Sequence, residues 1–142
     1  MKNPTSVLRP FRFHPTLDTK FLGGIFESDP ENARYIFELF LEELPSTVQS
    51  INCELGKNNK SELYEVIHKT KTSFSFVGLT FITALMEDIE KQCILVHEAK
   101  ELKEGLKYLL HEINESTPLI KKEYSRLTHY TKNLFENQLH YC

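Results

Sequence analysis

Between Asp29 and Asn59 the chain carries the feature that most limits how it can fold. Ala33, Ile36, Phe37, Phe40, Leu44, Val48, Ile51 and Leu55 recur at three- and four-residue spacing, which lines them along one side of a long helix. Ser28-Asp29-Pro30-Glu31 supplies the start: Asp29 can accept from the unpaired amides of the first turn, Pro30 suits the first helical position, and Glu31 favours the positive end of the dipole. Pro45 removes one donor inside the stripe and predicts a kink. Gly56-Lys57-Asn58-Asn59 closes the helix, with Gly56 available for a left-handed cap and Asn59, three residues before Glu62, opening the next. A connection this short makes the two helices antiparallel neighbours.

The same period recurs along the chain. Leu17, Phe21, Leu22 and Ile25 predict a short first helix, capped by Asp18 and fading near Ser28. Leu63, Ile67, Thr70 and Phe74, flanked by Val66 and Val77, predict a helix over about Lys60 to Phe76, after which Gly78 allows a tight turn. Leu79, Ile82, Met86, Ile89, Cys93 and Val96, with Leu85, predict another, and Glu87, Asp88, Glu90 and Lys91 read as its solvated face. After a linker near Glu98 to Glu101, Leu102, Leu106, Leu109, Leu110, Ile113, Ile120, Tyr124 and Leu127 predict the last helix, which Pro118 either kinks or splits at Thr117. No stretch has a sustained strand pattern with hairpin turns. The expected fold is all-α: an antiparallel four-helix bundle, up-down-up-down, with a short additional N-terminal helix. Residues 1–15 read as an N-terminal arm pinned by Phe11 and Phe13, 16–128 as the bundle, and 129–142 as a tail or an extension of the last helix.

Composition removes several functions. A formal charge of -3 on 142 residues leaves no basic footprint for nucleic acid. No run of about 20 apolar residues is present, and Pro4, Arg9, Pro10, Arg12 and Pro15 break any apolar signal core, so a cytoplasmic protein without a membrane anchor is expected. Cys53, Cys93 and Cys142 are odd in number and far apart, which argues against a disulfide framework; Cys53 and Cys93 read as small core residues. The six histidines form no His-x-x-His pair and join no Cys-x-x-Cys, so no metal site is expected. Gly23-Gly24 lacks the residues of a nucleotide loop.

One histidine stands apart. On the Lys60 to Phe76 helix, His68 lies about 140° from the Leu63 stripe and points outward. Lys71 and Thr72, three and four positions later, lean back over its turn. The run His68-Lys69-Thr70-Lys71-Thr72-Ser73-Phe74-Ser75-Phe76-Val77-Gly78 resembles the signature of the histidine-containing phosphotransfer (HPt) domain family, roughly His-x-[apolar]-Lys-Gly-x-[small]-x-x-[apolar]-Gly. His68, Lys71, Val77 and Gly78 are in register, and the helix spacing extends the resemblance over about residues 17 to 128. Thr72 stands where the family commonly has Gly, and Thr70 where it has an apolar residue.

The resemblance implies a phosphocarrier of a multistep two-component phosphorelay, without independent enzymatic turnover. His68 would carry the phosphoryl group, since a neutral imidazole nitrogen is nucleophilic near pH 7, and Lys71 would stabilise the charge on the transferring oxygens. Lys69, Thr72, Ser75 and Phe76 would meet the partner, although Phe76 could instead pack under the next turn or the arm. That partner is implied to be the receiver domain of a response regulator or hybrid histidine kinase, which supplies the aspartate and Mg2+. The chain itself would need no cofactor and act as a monomer. The two threonines keep a second reading open, an HPt-like helical module that binds a receiver or kinase without being phosphorylated.

Overall fold

The computed structural model describes residues 9–140, with side chains described through Glu136. The first eight residues of the expected arm and the last two of the chain lie outside the described residues. The described chain is helical, with no strand among the described residues: α1 (Thr19–Phe26), α2 (Pro30–Leu55), α3 (Lys60–Ser75), α4 (Thr80–Leu95), a 3-10 turn (Ala99–Leu102) and α5 (Lys103–His140).

The helix starts follow their side chains. Asp18, Asp29 and Asn59 accept from the amides of Phe21, Asn32 and Glu62, respectively, each satisfying a donor the helix itself cannot. Gly56 does not use the left-handed cap open to it; its φ of -93° is right-handed. The linker before α5 is also structured. Glu98 and Glu101 form a reciprocal capping box that holds a 3-10 turn and buries Ala99 and Leu102. Neither proline divides its helix. Pro45 sits within α2 and Pro118 within α5; next to Pro118 the Thr117 hydroxyl donates to the Ile113 carbonyl at 2.8 Å.

Helix α2 packs on α3 and α5, and α4 packs on the same two helices, so the four long helices enclose a common core while α1 leans on α2. Phe37, Ile51, Leu63, Ile67, Phe74, Ile82, Met86, Leu106, Leu109, Ile113 and Ile120 are all under 2% exposed, and each such side chain contributes about 1.5–3 kcal/mol. Phe40 meets Phe74 edge-on at 5.2 Å, fixing α3 against α2. Cys93 belongs to this core, but Cys53 is exposed, contrary to the sequence expectation. In α1 the buried residues are Leu22 and Phe26, and Ile25 is turned outward.

The arm is pinned by its two phenylalanines. Phe13 stacks on Phe37 at 5.9 Å, and Phe11 packs edge-on against both Phe13 and Tyr130. The His14 amide donates to Glu123 at 2.9 Å.

The turn between α3 and α4 is locked from outside. Gly78 has φ +82°, and a Cβ there would lie 2.8 Å from Leu22 Cδ1 and 2.9 Å from Leu17 Cβ. Its carbonyl accepts from the Asp18 amide at 2.9 Å, and Thr80 donates to the Asp18 carboxylate at 2.9 Å. Only glycine meets both demands, left-handed backbone and close approach of α1.

Candidate functional site

The outer face of α3 is an i, i+4 ridge of Tyr64, His68, Thr72 and Phe76. His68, Thr72 and Phe76 are exposed and Tyr64 is half-buried. Tyr64 lies parallel to the His68 ring at 5.5 Å, with 9° between the planes, and so restricts the imidazole to one side.

The second restraint comes from α4. Glu90 is 7% exposed, and its two oxygens take different partners: Oε2 lies 2.6 Å from His68 Nδ1, and Oε1 accepts from Lys71 Nζ at 2.6 Å. Burial pushes the Glu90 carboxyl up, but the hydrogen bonds and charges of Lys71 and His68 outweigh that and hold it below its ordinary value. Glu90 is therefore ionised at neutral pH and can only accept, which requires Nδ1 to carry the proton. In the neutral ring the lone pair then falls on Nε2, and the side chain is 56% exposed.

This arrangement corrects the sequence reading of Glu90 as part of a solvated face, and it gives Lys71 a partner on α4. The Lys71 ammonium is bound to Glu90, whose hydrogen bond raises the Lys71 pKa. An ammonium has three donors, so two remain. Glu90 and Tyr64 had not been recognised from sequence as site residues. Tyr64 had a legible signal in its i-4 position from His68. Glu90 follows Met86 by four and precedes Cys93 by three, which brings it to the edge of the buried stripe.

The remaining expected residues divide between outward and inward. Lys69, Thr72 and Phe76 are exposed, Phe76 at 44%, so it does not pack under the next turn or the arm. Ser75 is half-buried; its hydroxyl lies 2.7 Å from that of Thr83, which donates to the Lys71 carbonyl at 3.0 Å. Those bonds tie α3 to α4 directly behind Lys71. The Thr70 hydroxyl donates to the Val66 carbonyl at 2.8 Å, so the polar residue at this position satisfies itself on its own helix. At the other end of the ridge, a hollow of about 350 Å3 runs past Lys60, Tyr64, Cys93 and Ile94. Ile94 and Leu95 beside it are 75% and 79% exposed, an amount of bare aliphatic surface suited to contact with another protein.

Chemically, the site offers one accessible nucleophilic nitrogen, a buried carboxylate behind it and an ammonium one turn away. No curated protein and no solved structure matches the chain. A family model does: the Hpt domain matches residues 36–128, the span that contains the ridge, Glu90 and the packed faces of α2 to α5. Hpt domains serve in general in phosphotransfer within histidine–aspartate phosphorelays, where they engage receiver domains. With about two thirds of its length matched and His68 inside the matched span, this chain belongs to the Hpt domain family.

Proposed function

We propose that the chain is a phosphocarrier of a multistep phosphorelay, accepting a phosphoryl group on His68 Nε2 from the aspartate of one receiver domain and passing it to another. The observation that carries this reading is the 2.6 Å contact between Glu90 Oε2 and His68 Nδ1, because it keeps the proton on the inner nitrogen and leaves the outer one nucleophilic.

In the transfer, the Nε2 lone pair forms the N–P bond as the bond from phosphorus to the aspartyl oxygen breaks. The receiver carboxylate leaves with the electron pair. The phosphorylated ring, still protonated at Nδ1, is a cation neutralised by Glu90, and Lys71 turns its spare donors to the equatorial phosphoryl oxygens. Onward transfer is the same step in reverse. The chain is regenerated only by giving the group away, so it carries rather than turns over. In this reading the receiver brings the aspartate and Mg2+, and the chain needs no cofactor of its own.

Lys69, Thr72 and Phe76 on the ridge, with Ile94 and Leu95 beyond Tyr64, form the surface a receiver covers, while Ser75 acts behind it by fixing α3 to α4. The short connections between α2, α3 and α4 support an up-down-up-down arrangement of the four long helices, with 16–128 as the carrier domain. The carrier meets its partner as a monomer in the cytoplasm. Among the described residues no helix is long and apolar enough to cross a membrane.

The test is to mix the protein with a phosphorylated receiver domain and map the label. An acid-labile phosphoryl group on His68, absent from His68→Gln with far-UV helicity unchanged, is expected. Label persisting in that variant would overturn the assignment.

A further inference from the structure

Three of the four arginines in the chain line one cleft. Arg9 and Arg12 reach it from the arm and Arg126 from α5, and Phe11, Tyr130 and Asn133 complete its wall around about 730 Å3. Apart from Arg34, every other Lys or Arg in the sequence is a lysine. A lysine is a hydrated point charge that serves solubility well, whereas a guanidinium presents a planar fork of donors matched to phosphate and carboxylate oxygens. The convergence is thus chemically specific, in a chain whose net charge is negative.

The three arginines have different tasks. Arg126 is already committed: one terminal nitrogen bonds Glu123, which is 1% exposed, the other donates to the Arg12 carbonyl at 3.0 Å, and the guanidinium lies 4.7 Å over the Phe11 ring. Its charge is neutralised by Glu123, and it fixes the arm so that the Arg9 to Arg12 segment stays against α5. Arg9 and Arg12 are exposed, and neither has a carboxylate within ion-pair distance among the described residues. Among the described residues no acidic side chain lines the cleft. Its lining combines the rings of Phe11 and Tyr130 with the guanidinia of Arg9 and Arg12, and its volume falls within the range of small-molecule sites, about 300–1,000 Å3.

We propose that this cleft binds a small organic phosphate, with the phosphate oxygens between Arg9 and Arg12 and the organic portion along Phe11 and Tyr130. The site shares no residue with the His68 ridge. Of its lining only Arg126 falls within residues 36–128 matched by the family, so the site belongs to the arm and the far end of α5 rather than to the shared phosphotransfer unit. A ligand there joins the arm to α5 and strengthens a contact already made by Phe11 and Arg126.

Titration calorimetry of the full chain at low salt, with AMP, inorganic pyrophosphate and citrate as probes, tests this. AMP is expected to bind, and pyrophosphate and citrate, which have no ring to lie along Phe11 and Tyr130, to bind at least tenfold more weakly. The double variant Arg9→Gln/Arg12→Gln should lose at least tenfold in affinity for AMP, while Arg34→Gln, elsewhere on the surface, should lose none. Both arm substitutions spare the Arg12 carbonyl used by Arg126, so the arm keeps its anchor, which unchanged thermal unfolding verifies. Absence of AMP binding, pyrophosphate or citrate binding as tightly as AMP, or equal AMP affinity in the double variant would each overturn the proposal.

Discussion

Glu90 and His68 stand 22 residues apart in sequence and 2.6 Å apart in space, and this one contact decides which imidazole nitrogen faces solvent. Replacing Glu90 with Ala removes the acceptor for Nδ1, and the ring is free to protonate Nε2 instead. Transfer from a phosphorylated receiver should fall by about 10–100-fold, the usual cost of losing a group that orients a functional histidine. Glu90→Gln keeps an amide oxygen to accept from Nδ1 but not the charge that neutralises the phosphorylated ring, so its loss should be smaller than that of Glu90→Ala. Rapid-quench measurement of His68 labelling distinguishes the two; equal rates in wild type and both variants would reject the role.

Lys71→Ala should slow the transfer step by on the order of 10²-fold while leaving receiver affinity nearly unchanged. In the proposed transfer the ammonium acts on charge that develops on the phosphoryl oxygens, and its side chain is only 19% exposed, so it adds little contact area. Affinity by calorimetry and single-turnover rates, measured on the same variant, separate the two effects. A variant that binds poorly yet transfers normally once bound would contradict this.

Acid stability should report on Glu90. Its carboxyl is held below the ordinary value of 4.5 because the bonds from Lys71 and His68 outweigh burial. A folded-state pKa below the unfolded one contributes stability that is fully present above about pH 5 and is lost as pH falls through the folded value. Glu54 has the opposite sign: burial, then the charge of Glu62, push it up, and its Oε1 is buried without a hydrogen-bond partner among the described residues. Its cost is present at neutral pH and disappears on acidification. Between pH 3 and 7, Tm should therefore fall less steeply toward acid in Glu90→Gln than in wild type. Glu54→Gln should raise Tm at pH 7 and lose that advantage near pH 4.

Gly78→Ala should destabilise the protein by at least about 1–2 kcal/mol, the cost of a side chain in left-handed backbone, with more from the contacts at 2.8 and 2.9 Å to Leu22 and Leu17. Thermal unfolding should show Tm lowered by roughly 5 °C or more. Gly24→Ala, with nothing within 4 Å of the added carbon, serves as the comparison and should not lower Tm.

The helices were legible because local chemistry specifies them. Asp18, Asp29 and Asn59 each cap their own helix with their own side chain, and the stripes from Ala33 to Leu55 and from Leu79 to Cys93 carry the period that buries them. The outward direction of His68 was legible for the same reason, since one residue's angle around a helix depends only on its neighbours along the chain. Cys53 was misread because a small residue near a helix end is compatible with several local environments, and the packing around it selects one.

Glu90 could not be assigned from its own helix alone. Its position at the edge of the α4 stripe is equally consistent with a solvated carboxylate, and what makes it buried, ionised and bound to two residues of α3 is the register in which those two helices pack. The same holds for Gly78, whose requirement for glycine arises when Leu17 and Leu22 of the preceding segment close on the turn, and for Arg9, Arg12 and Arg126, which meet only because Phe11 and Phe13 dock the arm on the bundle. Periodicity and capping act between residues within one turn of each other, so the sequence by itself determined the helices and the face that carries His68. Proton placement, charge pairing and the anchoring of the arm beside the arginine cleft depend on contacts between residues 19 to 114 positions apart, and only the tertiary packing brought them within a few ångströms.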